Sequence, residues 1–374
     1  MNDNKINNID LQKPIVSVII LNYNTEKKYI DKLFSTIADQ DFLEKMEIIV
    51  VDNASTDQSL NYIIQNYQFS LKLKIIRNGD NLGYAKGNNI GIRHAIGKYL
   101  LIINPDTSIK ENTAIRELYE SYLDLVIREI KVGAVGGFEN NKNGHLHGEL
   151  IEDESIITMN SIDILGYPFS FYYLFKKGDK LTPINLGNKK RAFKTFHVTG
   201  AFLFIEKNLF VKVGMFDELY FMYEEEIDLC WRLNIFGYEN FIINIDYYHY
   251  QYLYENTTYL YRKINIFYTL THRKINLIKN YNNYIIPCFI SIFHDVILFF
   301  IFFFIYDIDI ASIVPKSYLY IFKNRKQIFK WRKFIKTNRK INDIYIIKKY
   351  QFYKLRFFSD IKNIITHKKL PKFK

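Results

Sequence analysis

The residues of this 374-residue chain best suited to chemistry are acids that directly follow apolar runs. Asp52 closes EIIVVD (47–52). There it can accept hydrogen bonds from a ligand's imide or hydroxyl, or cap the strand-to-helix turn together with Asn53, Ser55 and Thr56. Asp106, in Asn104-Pro105-Asp106-Thr107, follows KYLLIIN (98–104). A carboxylate so placed suits a hard divalent cation, Mg2+ or Mn2+, which favours oxygen ligands and substrate phosphates. The same segment also reads as a Pro-Asp turn capping a helix that begins near Lys110.

Tyr223-Glu224-Glu225-Glu226-Ile227-Asp228 sets four acids in five positions between FDELYFMY and LCW. As a solvated helix start they gain only modestly from the dipole. Mutual repulsion and partial burial instead raise a carboxylate toward the range of a general base, which is the reading adopted. His249, in DYYHYQ after FIINI, can ligate a metal, although a lone histidine among tyrosines also serves structure. No G-x-x-x-x-G-K-[ST] loop, G-x-G-x-x-G fingerprint or C-x-x-C pair is present, so neither an NTPase nor an ordinary dinucleotide enzyme is supported. Cys230 and Cys288 lie far apart, and two cysteines exclude a disulfide scaffold.

The elements that must position these acids are legible from periodicity. IVSVIIL (15–21), EIIVVD (47–52), LKIIR (73–77) and KYLLIIN (98–104) read as strands buried on both faces. Helical patterns at 25–39, with Thr25 as N-cap, at 57–67 and at 84–97 separate them and predict a parallel α/β sheet. Ligands gather at the carboxyl ends of such strands, where Asn22, Asp52 and Asp106 fall. A second block, 131–249, holds GAVGGF, HVTGAFLFI and the acidic helix start, while 140–195 reads as hairpins and loops.

Charge is uneven. Of the net +12, the segment Lys316–Lys374 carries about +17, with 19 Lys and Arg against Asp343 and Asp360, which leaves the rest near −5. A single basic domain is therefore excluded, and the tail points to an anionic membrane surface or nucleic acid; nothing in residues 1–265 asks for nucleic acid. Residues 285–306, mostly Ile and Phe, are long enough to cross a bilayer, but Pro287, His294 and Asp295 interrupt them. A monotopic seat at the interface is the competing reading. MNDNKINNIDLQK lacks an apolar h-region, so no secretory signal is expected. The 30 Tyr and 31 Phe against 2 Trp, with many Ile, Asn and Lys, reflect AT-rich coding rather than function.

VSVIILNYN (16–24), IIVVDNASTD (48–57), NLGYAKGNNIGI (81–92), KYLLIINPDT (98–107), VTGAFLFIEKNLFVKVGMFDE (198–218) and FMYEEEIDLCWRLNIFGY (221–238), taken in order, resemble glycosyltransferase family 2. These are inverting enzymes of the GT-A fold, and the likeness is strongest to rhamnosyltransferase-like members, over residues 15–250. The resemblance implies a GT-A catalytic domain, and the composition change near 265–285 sets it at 1–265, leaving an aromatic and basic region at 266–374 that reads as mainly helical and membrane-associating. It implies transfer of a sugar from dTDP-rhamnose or a UDP-sugar to a hydroxyl of a glycan or lipid-linked acceptor, in surface polysaccharide synthesis at the cytoplasmic face of the membrane. By the same resemblance, Asn22, Asn24 and Asp52 hold the nucleobase, and Asn81, Gly83 and Asn89 shape the nucleotide pocket. Asp106, with His249 as in some relatives, binds Mg2+ or Mn2+. Glu226 or Glu225 is the base, and Thr199, Gly200 and Asp228 border the acceptor. Two departures, Asn104 where the family's first metal aspartate falls and Glu226 where it has Asp, motivate an alternative: a non-catalytic paralogue that binds nucleotide sugar and acts as a membrane scaffold.

Overall fold

The structure, a computed structural model, describes residues 13–140, 149–150, 155–163, 165–166, 168–174, 183–250 and 259–350. Its first half alternates β1 (Val16–Asn22), α1 (Lys27–Ala38), β2 (Met46–Asp52), α2 (Ser59–Tyr67), β3 (Lys74–Arg77), α3 (Gly83–His94) and β4 (Tyr99–Ile103). The β-branched runs are buried on both faces in β1, β2 and β4, as parallel strands flanked by helices must be. Thr25 is not the cap of α1: it is buried, and Glu26 occupies the N-cap position without a side-chain bond.

Next come β5 (Thr107–Ile109), α4 (Ala114–Ile127), β6 (Val132–Asn140), β7 (Glu149–Leu150), β8 (Ser155–Ile162), β9 (Pro168–Leu174), β10 (Ile184–Asn185), β11 (Arg191–Thr195), β12 (Phe202–Glu206), α5 (Lys207–Lys212), α6 (Glu225–Ile235) and β13 (Glu239–His249). The helix expected near Lys110 starts only at Ala114. Thr107, Ser108 and Ile109 are buried and pair antiparallel with β13, setting Thr107 opposite His249. The hairpins expected within 140–195 appear as an antiparallel β7-β8-β9 sheet.

The main sheet runs β10-β11-β13-β6-β12-β4-β1-β2-β3, with β5 on β13. The β4-β1-β2-β3 portion is parallel as expected, but β12 is antiparallel to β4 and the sheet is mixed. The chain reaches β12 from β11, and both run against the direction of β6 and β13. Strand order reverses between β1 and β4, which opens a crevice at their carboxyl ends.

Two cores flank the sheet. Phe34, Ile63 and Leu118 cover one face against Val18 and Val50. On the other, Ile92, Trp231 and Ile275 pack against Ile19 and Ile49. The C-terminal helices are α7 (Tyr259–Asn280), α8 (Ile285–Ile305), α9 (Ile308–Ala311), α10 (Ile313–Lys323), α11 (Arg325–Asn338) and α12 (Asp343–Tyr350). The boundary expected at 265/266 falls inside α7. Ile328, Ile335, Ile346 and Tyr350 from α11 and α12 belong to the same core as Trp231. Deleting residues 285–374 is therefore expected to yield insoluble or unfolded protein, because it strips one side of that core. Soluble yield and circular dichroism check this; a cooperative transition within about 5 °C of the full chain would contradict it.

Candidate active site

Asn22 and Asp52 stand opposite each other in register at the ends of β1 and β2. The buried Asn22 amide donates to Asp52 Oδ1 at 2.9 Å and to the Ser55 and Ser59 hydroxyls at 3.0 Å. Asp52 also accepts from the Ser55 backbone N–H (3.1 Å) and hydroxyl (2.6 Å), so it caps the turn after β2. Asn24, with φ of 50°, accepts the Thr56 and Asp57 N–H groups at 2.7 and 3.3 Å. The expected nucleobase residues thus form one polar knot that fixes the two loops.

Asn81 accepts from Gly83 N–H (3.0 Å) and from Asn53 (2.8 Å), which ties the start of α3 to the same loop. Gly83 is required by a close approach: its φ is +77°, and a Cβ there would lie 2.3 Å from the Phe221 carbonyl. Asn89 is not directed at a ligand. Its amide both donates to the Phe216 carbonyl (2.9 Å) and accepts the Phe216 N–H (3.2 Å), bracing the loop ahead of the acidic segment.

Pairing of β5 with β13 brings Asp106 to His249, with Oδ1 3.5 Å from Nε2. The other ring nitrogen, Nδ1, donates to Glu139 Oε1 at 3.2 Å. Burial opposes a charge on His249, but Asp106 and Glu139 outweigh it and raise the imidazole to about 10. Glu139 is absent from the sequence-based expectations, although the signal was there: it is an acid one residue past the apolar run GAVGGF.

The residues Asp106 and His249 fit a divalent ion in one specific way. They offer one carboxylate and one imidazole with a second carboxylate orienting the ring, while among the described residues no three His, Cys, Asp or Glu groups form a ready cage. Such a pair suits an ion whose remaining positions are filled by phosphate oxygens and water.

The acidic segment is presented by a strained turn. Tyr223 and Glu224 both adopt left-handed backbone, φ 66° and 72°, immediately before α6. Non-glycine residues hold that conformation only when the surroundings over-determine it. Here α7 does so. His272 Nδ1–H donates to the Met222 and Tyr223 carbonyls, each at 3.0 Å, and burial lowers this ring to about 4, keeping it neutral. Asn276 donates to Glu224 at 3.2 Å and accepts from Tyr220 at 2.6 Å.

Asp228, expected beside the acceptor, is instead fully buried beneath the turn. Arg232 (2.9 Å), Lys279 (3.0 Å) and Asn280 (3.1 Å) all engage it, and Lys279 also pairs with Asp217. Its charge is locked into the scaffold, which leaves no free carboxylate for a substrate.

Glu225 and Glu226 open α6 side by side. Glu225 is buried, and its Oε2 has no hydrogen-bond partner among the described residues; burial and the neighbouring Glu226 push it well above the carboxylate range. Glu226 is partly exposed. Burial raises it to about 7, the N–H groups of residues 226 and 227 pull it down, and Glu139 adds to the rise. Tyr84 ties the site together. Its hydroxyl donates to the Gly200 carbonyl at 2.7 Å, and burial plus the fields of Glu225, Glu226 and Asp106 hold the phenol well above its usual value. Gly200 lies against this ring, and Thr199 Oγ1 accepts the Ala201 N–H beside it. Asp106, Glu139, His249, Glu225 and Glu226 therefore gather at the carboxyl end of the sheet, around Tyr84 and near the 199–201 loop.

Residues 17–198 match the model described as Glycosyl transferase family 2. Over this segment, just under half of its length, the chain is similar to that family. A low-salt glycan biosynthesis hexosyltransferase, Agl10, of Haloferax volcanii is 27% identical over 58% of this chain and 61% of its own. An N-acetylglucosaminyl-diphospho-decaprenol L-rhamnosyltransferase of Mycobacterium tuberculosis is 24% identical over 51% of this chain and 62% of its own. The matched segments thus cover less than two thirds of these relatives. Among solved structures, GalNAc-T7 with UDP, GalNAc and Mn2+ shares the fold at a TM-score of 0.55 and 13% identity, covering 95% of this chain and 58% of that one.

Replacing Lys279 with Met should leave Asp217 and Asp228 buried with less compensation and cost about 3–5 kcal/mol of stability, read by urea unfolding. A loss below about 1 kcal/mol would show that the scaffold under α6 does not rest on this pair.

Proposed function

We propose that the chain is an inverting glycosyltransferase that moves a sugar from a nucleoside-diphosphate donor to a hydroxyl of a glycan or lipid-linked acceptor. The observation that carries this reading is the contrast between the two adjacent acids. Glu225 is sealed and its carboxyl is pushed upward by burial and by Glu226, whereas Glu226 is partly exposed and raised to about 7, where a general base is most effective.

In this mechanism the acceptor oxygen attacks the anomeric carbon as Glu226 takes its proton, and the bond from that carbon to the diphosphate breaks on the opposite side. Attack from one face and departure from the other inverts the centre without a covalent enzyme intermediate. Asp106 and His249 would hold a divalent ion, Mg2+ or Mn2+, with Glu139 orienting the imidazole. When bound, the ion supplies positive charge against the leaving diphosphate. Asn22, Asn24 and Asp52 fix the loops that receive the nucleotide, Asn81 and Gly83 set the start of α3 beside them, and the Thr199–Gly200 loop borders the acceptor.

For the sugar, the named rhamnosyl and hexosyl transfers of the two relatives support rhamnose or another hexose, from a dTDP- or UDP-linked donor. The lipid-linked acceptor in one of those names, together with the basic tail, supports work at the cytoplasmic face of a membrane.

Purified protein with Mn2+ and candidate nucleotide sugars tests the reading through transfer and donor hydrolysis. Glu226→Gln should lower turnover about 10²–10⁴-fold while nucleotide binding persists. Because the base acts only when ionised, the wild-type rate should fall about ten-fold per pH unit below a midpoint near 7. A Gln variant keeping more than about a tenth of the rate would remove Glu226 from the role. Nucleotide binding without any turnover in the wild type would favour the scaffold paralogue, to which Asn104 beside His249 lends its one structural argument.

A further inference from the structure

Helix α8 has its polarity turned inside out. Ser291, His294 and Asp295 lie on its buried face, where Asp295 accepts from Lys274 of α7 (2.8 Å) and from Tyr318 of α10 (2.7 Å) and pairs with His294 (3.0 Å). The opposite face is a stripe of apolar side chains open to solvent at three- and four-residue spacing: Phe289, Ile292, Phe293, Val296, Phe300 and Phe304. Phe289, Phe293 and Phe304 are 72%, 65% and 77% exposed. A helix on the surface of a water-soluble domain is arranged the other way, and so large an apolar stripe marks a surface that meets something.

We infer that this face is the seat of an anionic lipid bilayer, with α8 lying in the plane of the interface and not crossing it. Length and apolarity alone would let α8 span a membrane. Its inner face forbids that, since a crossing would draw the buried Lys274 and Arg273 of α7 into hydrocarbon with it. Lipid as the occupant follows from charge. Residues 310–341 contain ten Lys and Arg and no acid, and eight of those cations, from Lys316 to Lys340, are exposed. Helix α11 flanks the start of α8: Phe329 packs on the Tyr284 ring, centroids 6.4 Å apart, and the Arg332 guanidinium sits 4.2 Å above the same ring. Basic side chains beside an inserted aromatic face each gain about 1 kcal/mol near anionic headgroups. The inference rests on α8 and its neighbours and holds whether or not Glu226 is the base.

Flotation of the purified full chain with phosphatidylcholine vesicles, with and without 30% phosphatidylglycerol, tests it. Binding should require the anionic lipid and weaken with salt. The double variant Phe293→Ser/Phe300→Ser should bind at least ten-fold less while its unfolding temperature and nucleotide binding stay unchanged. Nitroxide labels at positions 289, 296 and 304, in a Cys288→Ser background, should report one common shallow depth. A depth maximum at 296 would mean a crossing helix and overturn the proposal. So would a dimer that the same double variant dissolves, or vesicle binding that appears only after residues 351–374 are deleted, which would make this chain's own tail the occupant.

Discussion

Everything in this molecule is arranged around an excess of negative charge at one end of a sheet. Asp106, Glu139, Glu225 and Glu226 gather there, and His249 stands between two of them. Like charges held close in a medium of low dielectric are costly, and proteins relieve that cost by protonating an acid, drawing in a cation, or both. Both responses are visible here. Glu225 is driven toward its protonated form and Glu226 to about 7, while His249 is pulled up to about 10. A cluster so charged is what the proposed mechanism needs, with a divalent ion and diphosphate to offset it and one carboxylate to take a proton.

Keeping that crowd in place falls to the C-terminal helices. The left-handed pair Tyr223–Glu224 aims α6 at the cluster, and α7 pins it through His272 and Asn276 above and through Lys279, paired with Asp217 and Asp228, below. The strain is local and its restraints come from some fifty residues further along the chain. One face of α7 thus serves the site while Lys274 grips Asp295 of α8. The helix that braces the acids is the one against which α8, with its exposed apolar stripe, is mounted.

Much of this was legible in the sequence, and the exceptions have physical reasons. The strands β1, β2 and β4 and the acids at their ends followed from uninterrupted apolar runs, because burial on both faces leaves no other pattern. The direction of β12 was not legible, since an apolar run carries no sign of its polarity in a sheet. Asp228 was assigned to the acceptor by resemblance; one turn of helix later, Arg232 claims it, and Lys279 lies too far along the chain for any local pattern to pair them. The tail looked like an appendage because its composition differs, yet Ile328, Ile335 and Ile346 spaced along it close the catalytic core. In α8 the apolar residues were counted correctly, but which of them face inward depends on Asp295 having Lys274 to meet.

The central claim, that these acids converge on a single cation carried with a diphosphate, is tested most directly by Mn2+ binding followed by electron paramagnetic resonance. With a nucleoside diphosphate present, the full chain should bind one Mn2+ at least ten-fold more tightly than without it, and Asp106→Asn should abolish that gain. Mn2+ binding indifferent to the diphosphate, or unchanged by Asp106→Asn, would contradict the account.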